Sequence, residues 1–150
     1  HKGVQFVCVD WGAANKAVST HAMYDLLARV LRRRSINAAQ DADAREPTII
    51  LTHHHVTPTG MAYIDSFLAE DVATFAEAIR GRNVLAIFNG HTHATYETQL
   101  AGVPVYGLRS TTFSFAPDSD GLLFVLRPPH YRVVTMDEGK VRTEIVEVAL

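Results

Sequence analysis

Cysteine is almost missing from this sequence. Cys8 is the only one, so no disulfide can form within the chain, and a reducing, cytoplasmic location is the expectation. Long hydrophobic runs are missing too, and none approaches the ~20 residues that a membrane-spanning helix needs. The opening His1-Lys2-Gly3 leads straight into an apolar stretch and does not read as a secretory signal. Neither sign of charge dominates. Fourteen Lys and Arg against sixteen Asp and Glu leave a formal net charge of −2. That balance gives no electrostatic reason to expect nucleic acid or an anionic membrane as partner. Internal repeats and low-complexity segments are also lacking.

What is present is an ordinary globular composition, 47% hydrophobic and 20% charged over 150 residues, which suits one domain or one large lobe. Gly3 to Val9 reads as a buried strand, because Val4, Phe6, Val7, Cys8 and Val9 leave little polar face. A loop from Asp10 to Ser19 leads to a helix over Thr20 to Arg34. Thr20 can cap that helix, and Met23, Leu26, Leu27, Val30 and Leu31 form its apolar stripe. Arg32, Arg33 and Arg34 suit the negative end of the helix dipole, with phosphate binding as the alternative. After an exposed loop over Asn37 to Glu46, Thr48 to Thr52 forms a short strand. A helical region in two pieces follows Gly60, the second over Asp71 to Arg80, with Val72, Phe75, Ala76 and Ile79 on one face and Gly81 as its stop. Val84 to Phe88 is another buried strand. Beyond Thr95 come five strand-like stretches, the last two (Tyr131–Met136 and Val141–Val148) forming a hairpin. The fold class is therefore α/β, a mixed sheet followed by antiparallel strands.

Five of the eight histidines sit in two clusters, His53-His54-His55 and His91-Thr92-His93. Each cluster directly follows an expected buried strand, and ligands of open α/β sheets bind at the carboxyl ends of strands. Neutral imidazole ligates zinc, iron, manganese and related ions. In an extended segment His91 and His93 would face one site; in a tight loop they would reach two adjacent metals. His21 and His130 stand alone and are expected to be packing residues.

The run Thr52-His53-His54-His55-Val56-Thr57-Pro58-Thr59-Gly60, with Gly90-His91-Thr92-His93 placed so that His91 lies 38 positions after His53, resembles the calcineurin-like metallophosphoesterases. Bacterial cyclic-nucleotide phosphodiesterases and glycerophosphodiesterases are the nearest in kind. Ala101-Gly102-Val103-Pro104-Val105, Ser110 to Pro117 and Tyr131 to Val148 resemble the segments that close the domain in that family. The resemblance spans nearly the whole chain and implies the C-terminal half of an α/β/β/α sandwich. It implies His53 and His91 as ligands of a second metal and His93 as ligand of a first, the two ions being manganese, iron or zinc. His54 and His55 would flank the ligands. Asp65 matches a common acidic position, with an exposed helix residue as the ordinary alternative. The implied reaction is metal-assisted hydrolysis of a small phosphoester: a cyclic nucleotide, a glycerophosphodiester, another diester or a monoester.

The family's Asp-x-His, Gly-Asp and Gly-Asn-His-Asp motifs would precede Gly3, and none occurs in these 150 residues. A binuclear site needs a bridging carboxylate to hold two cations about 3.5–4 Å apart. The expectation is thus a single lobe, a poor catalyst alone, which relies on an N-terminal half or on another copy of the chain. The rival is a non-catalytic metal-binding or assembly lobe. A structural zinc site is disfavoured, because such sites close around four ligands, often cysteines.

Overall fold

The computed structural model of the chain describes residues 3–11, 21–32, 45–116, 123–137 and 139–149. Its elements run β1 (Gln5–Val9), α1 (His21–Val30), β2 (Thr48–Thr52), α2 (Ala62–Asp65), α3 (Val72–Ile79), β3 (Val84–Asn89), β4 (Tyr96–Leu100), β5 (Val103–Gly107), β6 (Ser114–Phe115), β7 (Phe124–Val125), β8 (His130–Asp137) and β9 (Lys140–Glu147). A five-stranded sheet in the order β1-β2-β3-β5-β4 forms the centre. Four of its strands are parallel and β4 runs antiparallel to β5. The two antiparallel pairs β6–β7 and β8–β9 complete the α/β architecture.

One face of the sheet carries the core. Val9, Ile50, Ile87 and Val105 pack with Tyr24, Leu27 and Leu31 of the α1 region and with Phe75 and Ile79 of α3. The parallel strands need crossovers, and the two that contain α1 and α3 lay their apolar faces against the same sheet face. Trp11 lies inside this core although it follows the strand, its ring 5.8 Å from Phe75. Its indole N–H donates to the Tyr24 hydroxyl, which donates in turn to the Glu70 carbonyl. The β4–β5 hairpin turns through Ala101 and Gly102, both at positive φ (51° and 83°), as a two-residue hairpin loop requires.

Several sequence expectations need correction. The first strand starts at Gln5 and is not buried throughout. Among the described residues it pairs only with β2, at the sheet edge, so Phe6 is 50% exposed and Cys8 is exposed. The buried stripe of α1 runs through Tyr24, Leu27 and Leu31, while Leu26 is 54% exposed. Regular helix ends at Val30; Thr20, Arg33 and Arg34 lie outside the described residues. The stretch after Gly102 divides into β5 and β6, which makes six strands beyond Thr95. Arg132 of β8 pins the final hairpin to the sheet, with its guanidinium 4.8 Å over the Tyr106 ring and hydrogen bonds to Glu97 and to the Gly107 carbonyl. No helix among the described residues is long and apolar enough to cross a membrane.

Candidate metal centre

Strands β2 and β3 are parallel neighbours, with Thr52 opposite Asn89. The residues that follow each strand therefore emerge side by side at one rim. The His53 carbonyl accepts hydrogen bonds from both the Gly90 and His91 amides, at 3.3 and 2.9 Å. This fastens the first histidine cluster to the second through backbone alone. The second cluster is a tight loop, not an extended segment. The His93 amide reaches back to the Gly90 carbonyl at 3.2 Å, and His93 itself takes a left-handed φ of 47°, a conformation that costs a non-glycine residue about 1–2 kcal/mol. Thr92 is fully buried, while His91 and His93 are half-buried.

The His91 Nδ1 atom faces His53 Nε2 at 3.2 Å. The His54 ring stacks on His91 with centroids 4.4 Å apart. His53, His54 and His91 each offer one ring nitrogen, all within 4.8 Å of one another. The Phe67 carbonyl, 3.1 Å from His54 Nδ1, can only accept, so it fixes the proton on Nδ1 and makes Nε2 the ring nitrogen that can ligate. These three residues fit a cation. Two nitrogens bound to one tetrahedral zinc at about 2.0–2.1 Å lie about 3.3 Å apart, close to the spacing of His53 and His91.

The protonation states agree. Burial lowers the pKa of His53, with His54 adding to the shift and Asp10, just past β1, opposing it. His91 falls to about 4, through burial first and then through His54, His53, His55 and His93. Burial also lowers His93, against a hydrogen bond to the Phe113 backbone. Neutral imidazole, the form that binds metal, is therefore the resting form near neutral pH.

Of the residues singled out in the sequence, His53 and His91 meet directly. His93 lies outside the three-imidazole group but lines the same cavity of about 330 Å³. His54, read from the sequence only as a flanking residue, belongs to the group. His55 is fully buried, with Nε2 3.4 Å from Asp65 Oδ1. Asp65 is not an ordinary exposed helix residue. Its carboxylate accepts hydrogen bonds from the Thr59 amide and hydroxyl, both at 2.8 Å, and from the Gly60 amide at 3.0 Å. Burial alone would raise its pKa, but these bonds and His55 outweigh that and lower it. The Pro58-Thr59-Gly60 turn was the available signal, since its free amides need an acceptor. His130 is a packing residue as expected, 3% exposed and accepting the Arg109 amide at Nε2.

Comparison with known proteins adds a second line. The chain is 34% identical over 105 residues to a probable cyclic nucleotide phosphodiesterase of Psychrobacter arcticus, covering 68% of this chain and 38% of that protein. It is 28% identical over 103 residues to the 3',5'-cyclic adenosine monophosphate phosphodiesterase CpdA of Haemophilus influenzae, covering 67% and 38%. The CpdA of Vibrio vulnificus is 29% identical over 110 residues, covering 72% and 40%. The chain thus spans well under half the length of these relatives. No family model matches it.

Tyr96 completes the rim. Its hydroxyl donates to Asn89 Oδ1 at 2.9 Å, and burial pushes its pKa up to about 12, so it stays a hydrogen-bond donor at any working pH.

Proposed function

We propose that this chain supplies the histidine ligands of a calcineurin-like, metal-dependent phosphoesterase, acting in the complete protein on a phosphodiester such as a cyclic nucleotide. The observation that carries the reading is the convergence of His53, His54 and His91 at the rim formed by β2 and β3. The phosphodiesterase names of its relatives support the reaction class.

His53 and His91, with His93 beside them, would hold two ions drawn from manganese, iron or zinc, and His54 lies close enough to join them. Such a metal pair supplies Lewis acidity toward phosphoryl oxygens and lowers the pKa of water. The chain's own part is to present neutral imidazoles without reorganisation. The shared His53 carbonyl fixes the backbone, Phe67 fixes the His54 tautomer, and Asp65 fixes the loop behind His55. In this reading residues 1–150 form one lobe of a larger metallophosphoesterase domain, located in the cytoplasm. The edge of β1 that has no strand partner among the described residues, with Phe6 exposed on it and Leu51 exposed on β2, is where a further half or another copy of the chain would pack.

A second reading, a metal-binding or assembly lobe without activity, draws on one observation: the three-residue group contains imidazoles and no carboxylate. Phosphodiesterase assays with added manganese separate the two. Turnover by the complete protein that is abolished by His91→Ala, beside little turnover by these 150 residues, is the expected result. Metal binding with no turnover in either would leave only the second reading.

A further inference from the structure

Metal binding leaves much of the neighbouring cavity unexplained. The 330 Å³ cavity beside His53, His91 and His93 is lined otherwise almost wholly by aromatic rings, with no Lys, Arg, Asp or Glu. The volume falls within the range of small-molecule sites, about 300–1,000 Å³.

The rings come from two separate parts of the chain. Tyr63 of α2 and Phe67 just after it have centroids 5.4 Å apart. Phe115 of β6 pairs in register with Phe124 of β7, and Phe113 meets Phe124 edge-on at 4.9 Å. The histidines join the two groups. Phe67 lies 5.4 Å from the His91 ring, while Phe113 and Phe115 lie 4.6 and 5.3 Å from the His93 ring. At the rim, Tyr63 is 40% and Phe124 57% exposed, so this apolar surface is not consumed by the core.

A phosphoryl group gains nothing from such walls. A glycerol-like substituent would lose the hydration of its hydroxyls there without recovering hydrogen bonds. A flat π-system gains from stacking on aromatic faces. We infer that this aromatic slot is a specificity subsite that takes the planar ring of a phosphodiester's ester group, a nucleobase being the fitting class, while the phosphoryl group lies at the histidines. The inference rests on the phosphodiesterase reading and names Tyr63 and Phe124 as its specificity-determining residues.

Two rim variants test it, Tyr63→Ala and Phe124→Ala, chosen because their exposure lets the fold survive. In the manganese-loaded complete protein, kcat/KM is measured on 3',5'-cyclic adenosine monophosphate and on glycerophosphoethanolamine. Each variant should lose about tenfold on the base-bearing diester, mainly through KM, and should change less than about threefold on the glycerol diester. Equal losses on both substrates, or no loss on the first, would overturn the assignment. A binding arm is independent of turnover. Adenosine and ribose 5-phosphate are titrated separately into the metal-free chain and followed by NMR. Saturable adenosine binding that weakens in both variants, with ribose 5-phosphate indifferent to them, supports the slot; absence of adenosine binding overturns it. Should no diester be hydrolysed, the phosphodiesterase reading falls, and this arm alone decides the slot.

Discussion

His91 Nδ1 and His53 Nε2 face each other across 3.2 Å, although the two residues are 38 positions apart in the chain. Their backbones are tied at the same point, which holds the two side chains at one place on the rim. Removing one partner should therefore cost metal affinity without unfolding the rim. His91→Ala and His53→Ala are each expected to weaken manganese or zinc binding at least about tenfold, read by calorimetric titration at pH 7. His130→Ala removes a histidine far from this pair in function and should leave metal affinity unchanged, whatever it does to stability. A His91 variant that binds metal as tightly as the parent chain would sink the assignment.

The same crowding of imidazoles predicts a pH response in the metal-free chain. His91 titrates near 4 in the fold, and His53, His55 and His93 are also lowered, burial being the leading cause for each. Unfolded histidine titrates near about 6.5. Between those values the unfolded chain binds more protons than the folded one. Stability is thus full above about pH 6.5 and falls as pH drops toward 4. Thermal unfolding in chelator should show Tm decreasing steadily from pH 7 to pH 5. The slope should be shallower in His91→Gln, and a flat profile in the parent would contradict the burial-driven shift.

Asp65 organises the turn that backs the site. It accepts three hydrogen bonds from Thr59 and Gly60 and sits 3.4 Å from buried His55. Asp65→Ala strands two amides and a hydroxyl, and a loss of about 1–3 kcal/mol is expected from denaturant unfolding. Because the Asp65 pKa is lowered in the fold, its stabilising effect is present above the unfolded carboxylate value of about 3.9 and is lost below it. Asp65→Asn should recover part of the stability, since an amide oxygen can still accept from the turn.

Gly107 is required by its neighbour across the hairpin. A Cβ there would collide with Tyr96 Cε1 and lie 2.9 Å from the Ala94 carbonyl oxygen. The Tyr96 ring cannot yield freely, because its hydroxyl is held by Asn89, the last residue of β3 before Gly90-His91. Gly107→Ala should destabilise the chain by about 1–3 kcal/mol through overpacking. Tyr96→Phe keeps the ring and should cost only about 1 kcal/mol. Chemical denaturation of the two variants orders these effects, and a larger loss from Tyr96→Phe would reverse the account.

How far the fold could be read ahead of the structure varied with the kind of signal. β2 ends at Thr52 as expected, because its apolar run stops abruptly at three histidines. The convergence of His53 and His91 was legible for the same reason: each follows a strand, and parallel neighbours end at one rim. His54 was not legible. Alternation along a strand would turn it away from His53, but the backbone bends there, with the Thr52 hydroxyl donating to the His54 carbonyl at 2.8 Å. Periodicity puts Leu26 on the α1 stripe, yet it is exposed, and Tyr24 takes the core position instead. Tyr24 can be buried only because its hydroxyl is satisfied by Trp11 and by the Glu70 carbonyl, and those long-range partners leave no periodic trace.

The edge of the sheet supplies the last prediction. β1 lies at one end of the strand order, so among the described residues one side of it has no strand partner. On the face away from the core helices, Phe6 is 50% exposed and Cys8 is exposed, and Leu51 beside them on β2 is 37% exposed. An open edge next to an apolar patch recruits further strands. The chain should therefore self-associate, with a scattering mass that rises above the monomer value as concentration increases, under reductant so that Cys8 cannot cross-link. Phe6→Lys places a charge on the exposed patch and should return the mass to that of a monomer without lowering metal affinity, since Phe6 belongs to neither histidine cluster. A chain that stays monomeric at every concentration would remove the reason to place another half, or another copy, against β1.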